Sequence, residues 1–228
     1  YGSGFQNADD WRRDNVNQLV KALHTAIEKL DSTVSFGVSP FGIWANKSAS
    51  MPLGSDTSGN QTYFSHYADT RKWVKEGWLD YICPQIYWEI GHGKADYETL
   101  ANWWADTVRG TGVRLYMGMA DYKAGNSSEA SPWHGITAIE NQVALNATIP
   151  EITGEVHFRY QFLLSVPGLE EFYTAAYNAS GDTPDKPEPT EPAQPDPAIR
   201  TQYSSKDQTG QWTQYDTGAW KFQLTSGA

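Results

Sequence analysis

Along the first 180 residues, segments with the apolar spacing of a helix alternate with segments that have the composition of a strand. Apolar residues at helical spacing predict helices over 16–30, 65–76, 95–109, 136–146 and 169–177. Short runs rich in β-branched and aromatic residues predict strands over 33–38, 81–87, 113–119 and 155–162. A first helix followed by four strand–helix pairs is typical of parallel strands joined by crossover helices.

Four strand–helix units in about 150 residues make half of a (β/α)₈ barrel, which typically needs about 250 residues. A half barrel leaves two unpaired parallel edges, which is unfavourable. We therefore predict an α/β fold that is the C-terminal half of a (β/α)₈ TIM barrel, its first half missing from the chain or supplied by another chain. The alternative is an open doubly wound sheet, but no Gly-rich phosphate loop follows a strand.

The composition changes near residue 180. Residues 181–200 contain six of the twelve prolines, which is typical of an extended, semi-rigid spacer. Residues 211–222 then alternate aromatic and polar side chains around an Asp-Thr-Gly turn, which predicts a partial β-hairpin module too short to hold its own core. The predicted domains are residues 1–180, a linker over 181–202, and the start of a further module over 203–228.

The chain has 17 lysines and arginines against 27 aspartates and glutamates, a net charge of −10. This balance argues against a partner made of nucleic acid or anionic lipid, since both attract basic surfaces. No run approaches the roughly 18 apolar residues that a membrane span needs, so we expect no membrane insertion. Because the chain begins with Tyr1 rather than Met, we expect a removed leader or a fragment.

Aromatic residues are abundant, with ten Trp and 13 Tyr. Their rings stack on the C–H faces of sugars, and their polar edges form hydrogen bonds. The carboxyl ends of barrel strands form the active site, and here each predicted strand end has such side chains. The expected glycan-binding residues are Trp44, Gln85, Tyr87, Trp88, Tyr122 and Tyr160. The alternative is that these rings plug the top of the barrel or pack under its loops.

Two carboxylates, Glu89 and Asp121, stand at predicted strand ends. Glycoside hydrolysis usually needs a carboxyl pair, so both are candidate catalytic residues; the alternative is a solvated or capping role. The five histidines form no HxH or HExxH pair, and we expect neither a metal site nor a cofactor. The single cysteine, Cys83, excludes a disulfide framework and is expected to be buried and inert.

Several sequence strings together closely resemble the bacterial glycosyl-hydrolase-like family ten, whose members are envelope-associated (β/α)₈ proteins, some linked to cleavage of peptidoglycan glycan strands. The strings lie at residues 10–17, 36–44, 67–73, 79–88, 95–97 and 103–104. The resemblance covers roughly residues 1–178 and implies the C-terminal half of that domain. Gln85, Tyr87 and Trp88 match the family motif, whereas Glu89 and Asp121 fall outside it. The resemblance therefore implies that the principal catalytic carboxylates lie upstream of Tyr1.

The tail from Thr209 resembles the start of the wall-binding repeats of Gram-positive surface proteins. Together these features predict a secreted or cell-surface glycoside hydrolase that acts on cell-wall glycan, of the peptidoglycan type, or on a related polysaccharide. The alternative is a carbohydrate-binding barrel without catalysis. We also expect this chain alone to be inactive and poorly stable, because half of the barrel is missing.

Overall fold

The computed structural model describes residues 4–179, 210–214 and 220–224. The chain divides into two compact units, Tyr1–Ala175 and Ala176–Ala228. The helices are α1 (Ala8–Leu30), α2 (Thr62–Ser65), α3 (Thr70–Lys75), α4 (Tyr97–Val108), α5 (Thr137–Asn146), α6 (Tyr160–Ser165) and α7 (Leu169–Ala179). The strands of the first unit are β1 (Gly37–Val38), β2 (Tyr81–Ile82), β3 (Arg114–Met119) and β4 (Ile152–His157).

These four strands form one parallel sheet in the order β1-β2-β3-β4. Isolated parallel bridges from Gln85 to Phe41 and to Gly118 continue the pairing beyond the short strands β1 and β2. Each strand therefore pairs with the strand that precedes or follows it along the chain. This arrangement confirms the predicted α/β class and its parallel sheet.

The sheet has one face covered by helices and one open face. Side chains from the middle strands point to the covered face and are 0% exposed: Ile82, Leu115, Met117 and Met119. They belong to one core cluster with the residues of α4, including Trp104, whose indole N–H donates to the carbonyl of Gly42 at 2.8 Å. Strand alternation points Tyr116 and Val156 the other way, and Val156 is 46% exposed.

Helix α1 begins at Ala8, eight residues before the start that the apolar spacing predicted. The side chain of Asn7 accepts a hydrogen bond from the backbone N–H of Asp10 at 2.8 Å, which caps the helix. Further along, the buried Asn17 accepts from the indole N–H of Trp73 at 2.6 Å. This bond fixes α1 against α3 and satisfies two polar groups that would otherwise be buried unpaired.

The first two predicted strands, over 33–38 and 81–87, are shorter in the structure, where they cover Gly37–Val38 and Tyr81–Ile82. Two further predicted elements differ more strongly. The helix expected over 65–76 is broken, because Tyr67 has a φ of 52° and Asp69 starts α3 by accepting from the backbone N–H of Lys72. The strand expected over 155–162 ends at His157, and Tyr160 begins α6 instead. The aromatic residues at every second position, Phe158, Tyr160 and Phe162, have the spacing of a strand. In the structure, Leu163 and Val166, three positions apart, pack on the core instead.

In the second unit, β5 (Gly210–Gln214) and β6 (Trp220–Leu224) pair antiparallel, with Trp212 opposite Phe222. The predicted linker over 181–202 lies outside the described residues, as does much of the module over 203–228, so both stay predictions. In the part of the chain that the structure describes, no helix is long and apolar enough to cross a membrane.

Candidate functional site

Three aromatic rings meet at the carboxyl ends of β2, β3 and β4. Tyr87 lies 5.8 Å from Tyr122 in an edge-on contact and 6.3 Å from Phe158 in a stacked one. Tyr122 and Phe158 are 6.2 Å apart and nearly perpendicular. We call these three residues the strand-end aromatic cluster. Phe158 is 51% exposed, so the cluster presents an aromatic surface to solvent where a parallel sheet usually binds its ligands.

The hydroxyl of Tyr87 stays protonated at neutral pH. Burial, with smaller contributions from the neighbouring Cys83, Tyr122 and Asp121, raises the pKa of Tyr87 to about 12. A protonated phenol can donate as well as accept a hydrogen bond. Cys83 itself is 3% exposed, and burial raises the pKa of its thiol to about 11, which confirms the expected buried position.

Gln85 is held at the junction of β1, β2 and β3. Its side-chain amide donates to the backbone carbonyl of Ser39 at 2.9 Å and to the Ser39 hydroxyl at 3.3 Å. The chains approach so closely here that a Cβ on Gly118 would lie 2.8 Å from the carbonyl oxygen of Pro84. Gln85 therefore fixes the edge of the site while its amide oxygen is available for a further partner.

Glu89 lies at the mouth of the sheet, beside a buried tryptophan. Its carboxylate accepts a hydrogen bond from the indole N–H of Trp133 at 2.9 Å. Burial alone would raise the pKa of Glu89, but the Trp133 bond, a backbone N–H, His92 and Lys123 together hold that pKa below its ordinary value. Glu89 is thus an ionised carboxylate at neutral pH, suited to stabilise positive charge, and its lowered pKa makes it a weaker base than an ordinary glutamate.

Asp121 has a different environment. It is 0% exposed, accepts a hydrogen bond from the Tyr173 hydroxyl at 2.8 Å, and lies 3.4 Å from the Nδ1 atom of His157. The carboxylate thus joins the end of β3 to β4 and α7 inside the protein. A group that transfers a proton to a substrate must reach that substrate, so this placement does not favour the predicted catalytic role.

The other predicted binding residues are not gathered with the cluster. Trp44 is 5% exposed, stacked 5.8 Å from Trp103, and donates its indole N–H to Asp69 at 2.9 Å. Trp88 is half-buried, 6.2 Å from the His92 ring, with its carbonyl bound by Gln142. Tyr160 is on α6 rather than at a strand end and is 71% exposed. Of the six residues, Tyr87 and Tyr122 are in ring contact, and Gln85 precedes Tyr87 by two positions and so shares its side of the strand.

Residue-by-residue reasoning missed two contributors to this site. Phe158 was not singled out, although it follows Val156 by two positions and so shares its face. Trp133, 44 residues after Glu89 in the chain, holds that carboxylate, and the Lys123 ammonium lies 5.6 Å above the Trp133 ring. The alternation of β4 could have indicated Phe158, whereas no local signal pairs Trp133 with Glu89.

Aromatic faces and carboxylates at the strand ends of an α/β protein are compatible with a class of proteins that bind or cleave glycans. The sequence model of a family described as Glycosyl hydrolase-like 10 matches residues 2–135. The chain is 47% identical over 167 residues to the protein named Glycosyl hydrolase DigH of Escherichia coli K12, covering 72% of this chain. It is 46% identical over 169 residues, or 73% of this chain, to Glycosyl hydrolase YngK of Bacillus subtilis 168.

The chain therefore belongs to the glycosyl hydrolase-like 10 family, as its sequence motifs predicted. Both relatives carry the name glycosyl hydrolase. The matched region spans 38% of the length of the DigH relative and 33% of the YngK relative.

Proposed function

We propose that this chain forms part of a cell-surface glycoside hydrolase that acts on cell-wall glycan of the peptidoglycan type. The observation on which the proposal mainly depends is the exposed strand-end aromatic cluster in a member of a glycosyl hydrolase-like family. Aromatic faces bind the apolar faces of sugar rings, and Gln85, Tyr87 and Glu89 supply hydrogen-bonding groups for hydroxyls.

We also propose that the four strands are the C-terminal half of a (β/α)₈ barrel. Two facts support this: the strands pair parallel in chain order, and the matched region spans well under half of its relatives. In a complete barrel the open face becomes the interior, and the aromatic cluster becomes part of its upper rim. The principal carboxyl pair then comes from the strands of the other half, with Glu89 as a supporting electrostatic group.

A second candidate function is glycan binding without catalysis. It is favoured by the surroundings of Asp121, which is fully buried and bonded to Tyr173. With Asp121 enclosed, Glu89 lacks the second carboxylate that hydrolysis requires, unless the other half of the barrel supplies it. The two candidates therefore differ in what the other strands contribute, not in what the aromatic cluster does.

The test compares two proteins on purified peptidoglycan: this chain alone, and this chain preceded by four further strand–helix units that complete the barrel. We expect the complete barrel to release soluble glycan fragments with new reducing ends, and this chain alone to release none. Retention on peptidoglycan without new reducing ends would favour the binding function. Failure of the complete barrel both to bind and to cleave would overturn both.

Glu89→Gln in the complete barrel separates its role from that of the principal pair. Because Glu89 lies outside the family motif, we expect turnover to fall by less than about 100-fold, the lower limit for loss of a general acid or base. A larger loss with unchanged glycan affinity would make Glu89 one member of the catalytic pair. The matched control is Glu76→Gln, an exposed glutamate at the C-terminus of α3, on the helix end that leads into the start of β2.

A surface location is part of the same proposal. A spacer rich in proline and a C-terminal module with sequence similarity to wall-binding repeats would hold the enzyme at its polymeric substrate. Deletion of residues 203–228 should then reduce retention on whole cell walls while leaving cleavage of short soluble glycans unchanged.

A further inference from the structure

A cluster of three potential metal ligands lies at the opposite end of the sheet from the aromatic cluster. It is formed by His24 and Glu28 of α1 and by Asp80, which directly precedes β2. One ligand atom from each residue lies within 4.8 Å of the other two. We propose that these three side chains form a zinc-type site that fastens α1 to the start of the sheet.

The helix supplies two of the ligands on one face. Residues four apart lie one above the other on an α-helix, so His24 and Glu28 project side by side. His24 and Asp80 are partly buried, and Glu28 is exposed. Zinc bonds of about 2.0–2.2 Å require the three atoms to come closer than 4.8 Å, and the exposed Glu28 side chain is free to rotate inward.

Asp80 is held in place by bonds that leave one carboxylate oxygen for a metal. Its Oδ2 atom accepts from the backbone N–H of Phe36 at 2.7 Å. Its own N–H donates to the Phe36 carbonyl at 2.8 Å, and its carbonyl accepts from the N–H of Arg114 at 3.0 Å. These bonds join the starts of β1, β2 and β3, so a metal on Oδ1 would bind a ligand that is already oriented.

The ligand set selects the class of metal. Imidazole nitrogen combined with carboxylate oxygens suits Zn²⁺ and related transition metals, whereas Mg²⁺ prefers oxygen ligands alone. Three protein ligands leave a fourth tetrahedral position for water. The sequence pattern that encodes the site is His-x-x-x-Glu on a helix with an aspartate 52 residues later, which differs from the HxH and HExxH pairs considered above.

The test is calorimetric titration of Zn²⁺, and in parallel of Mg²⁺, into the metal-free 228-residue chain. We expect one zinc site per chain, no comparable heat from Mg²⁺, and a zinc-dependent rise in the thermal midpoint. His24→Ala and Glu28→Gln should each weaken zinc binding by at least about tenfold, as loss of even an outer-shell partner often does. His134→Ala, which removes an exposed imidazole elsewhere, should leave zinc affinity unchanged.

Glu28 is exposed, so Glu28→Gln keeps the test informative even if His24→Ala disturbs α1. Absence of zinc binding by the wild-type chain would overturn the proposal. Zinc affinity that survives both ligand substitutions, or that falls equally with His134→Ala, would also overturn it.

Discussion

The two faces of the parallel sheet have opposite environments although the same four strands form both. On β3, Met117 points into the helix-covered face and is 0% exposed, whereas its neighbour Gly118 faces the open side opposite Val156, which is 46% exposed. The covered face holds the packed core, and the open face ends in the strand-end aromatic cluster. Under the proposed function, stability and glycan recognition depend on opposite sides of one sheet, on residues that are neighbours in the chain.

The largest effect expected from this comparison is on stability. Met117→Ala should lower the free energy of unfolding by about 2–5 kcal/mol, because it leaves a cavity in the covered face. Val156→Ala should change that free energy by less than about 0.5 kcal/mol, since half of the side chain already contacts water. Urea denaturation of both variants measures the difference. Equal losses would mean that the open face is covered in solution.

Asp121 and Glu89, the two carboxylates at the strand ends, differ in the same way as the two faces: Asp121 is fully buried, whereas Glu89 is partly exposed. Asp121→Asn should cost about 1–3 kcal/mol of stability, because an amide nitrogen then lies buried in a site built for a carboxylate that accepts from Tyr173. Glu89→Gln, in contrast, can still accept from Trp133 and should be nearly neutral. Denaturant midpoints measure both. A neutral Asp121→Asn would show that the bonds around Asp121 add little to stability.

Measurements of glycan affinity can show whether Trp88, which lies outside the aromatic cluster, also contacts the glycan. If the Trp88 ring stacks on a sugar, Trp88→Ala should weaken binding by about 1–3 kcal/mol in the complete barrel without unfolding it. Tyr87→Ala, within the aromatic cluster, should weaken binding in the same range. Oligosaccharide titration by calorimetry measures both. If Tyr87→Ala weakens oligosaccharide binding and Trp88→Ala does not, the Trp88 ring has a packing role beside His92 and does not bind the sugar.

The smallest effect concerns acid titration at the mouth of the sheet. Trp133→Phe removes the hydrogen bond that helps to lower the pKa of Glu89, so this pKa should rise toward its ordinary value. Because the folded-state pKa is lowered, the contribution of Glu89 to stability is present above its unfolded-state pKa and is lost as the pH falls through the folded-state pKa. Carbon-detected NMR titration measures the shift, with the other glutamates as internal controls. A fixed pKa would contradict the assigned cause.

Much of the fold could be predicted because its periodic signals are strong. The residues predicted as the third strand and as the two helices around it agree with β3, α4 and α5 to within two residues at each end. The predictions were wrong where the backbone departs from the local pattern. Tyr67 adopts a positive φ that breaks one helix, and the aromatic alternation after His157 belongs to the turn into α6.

The site was harder to predict than the fold. The strand-end rule brought Gln85, Tyr87 and Tyr122 into the predicted site because the rule depends only on where strands stop, and their binding roles stay predictions. Whether a side chain faces the cleft or the core depends on partners distant in sequence. Trp44 is covered by Trp103, and Asp121 by Tyr173, 52 residues later. Such contacts leave no mark in the local pattern.

The strand order also dictates a sequence of events during synthesis. Because β1 to β4 pair strictly in chain order, each strand after β1 is synthesised after the strand with which it first pairs. The sheet can thus grow one strand at a time, each step closing only the helical crossover between two successive strands. Asp121 is the exception: its hydrogen-bond donor, Tyr173, is translated 52 residues later. A nascent chain paused between these two residues would contain the complete β3 strand, but Asp121 would not yet have the hydrogen bond from Tyr173.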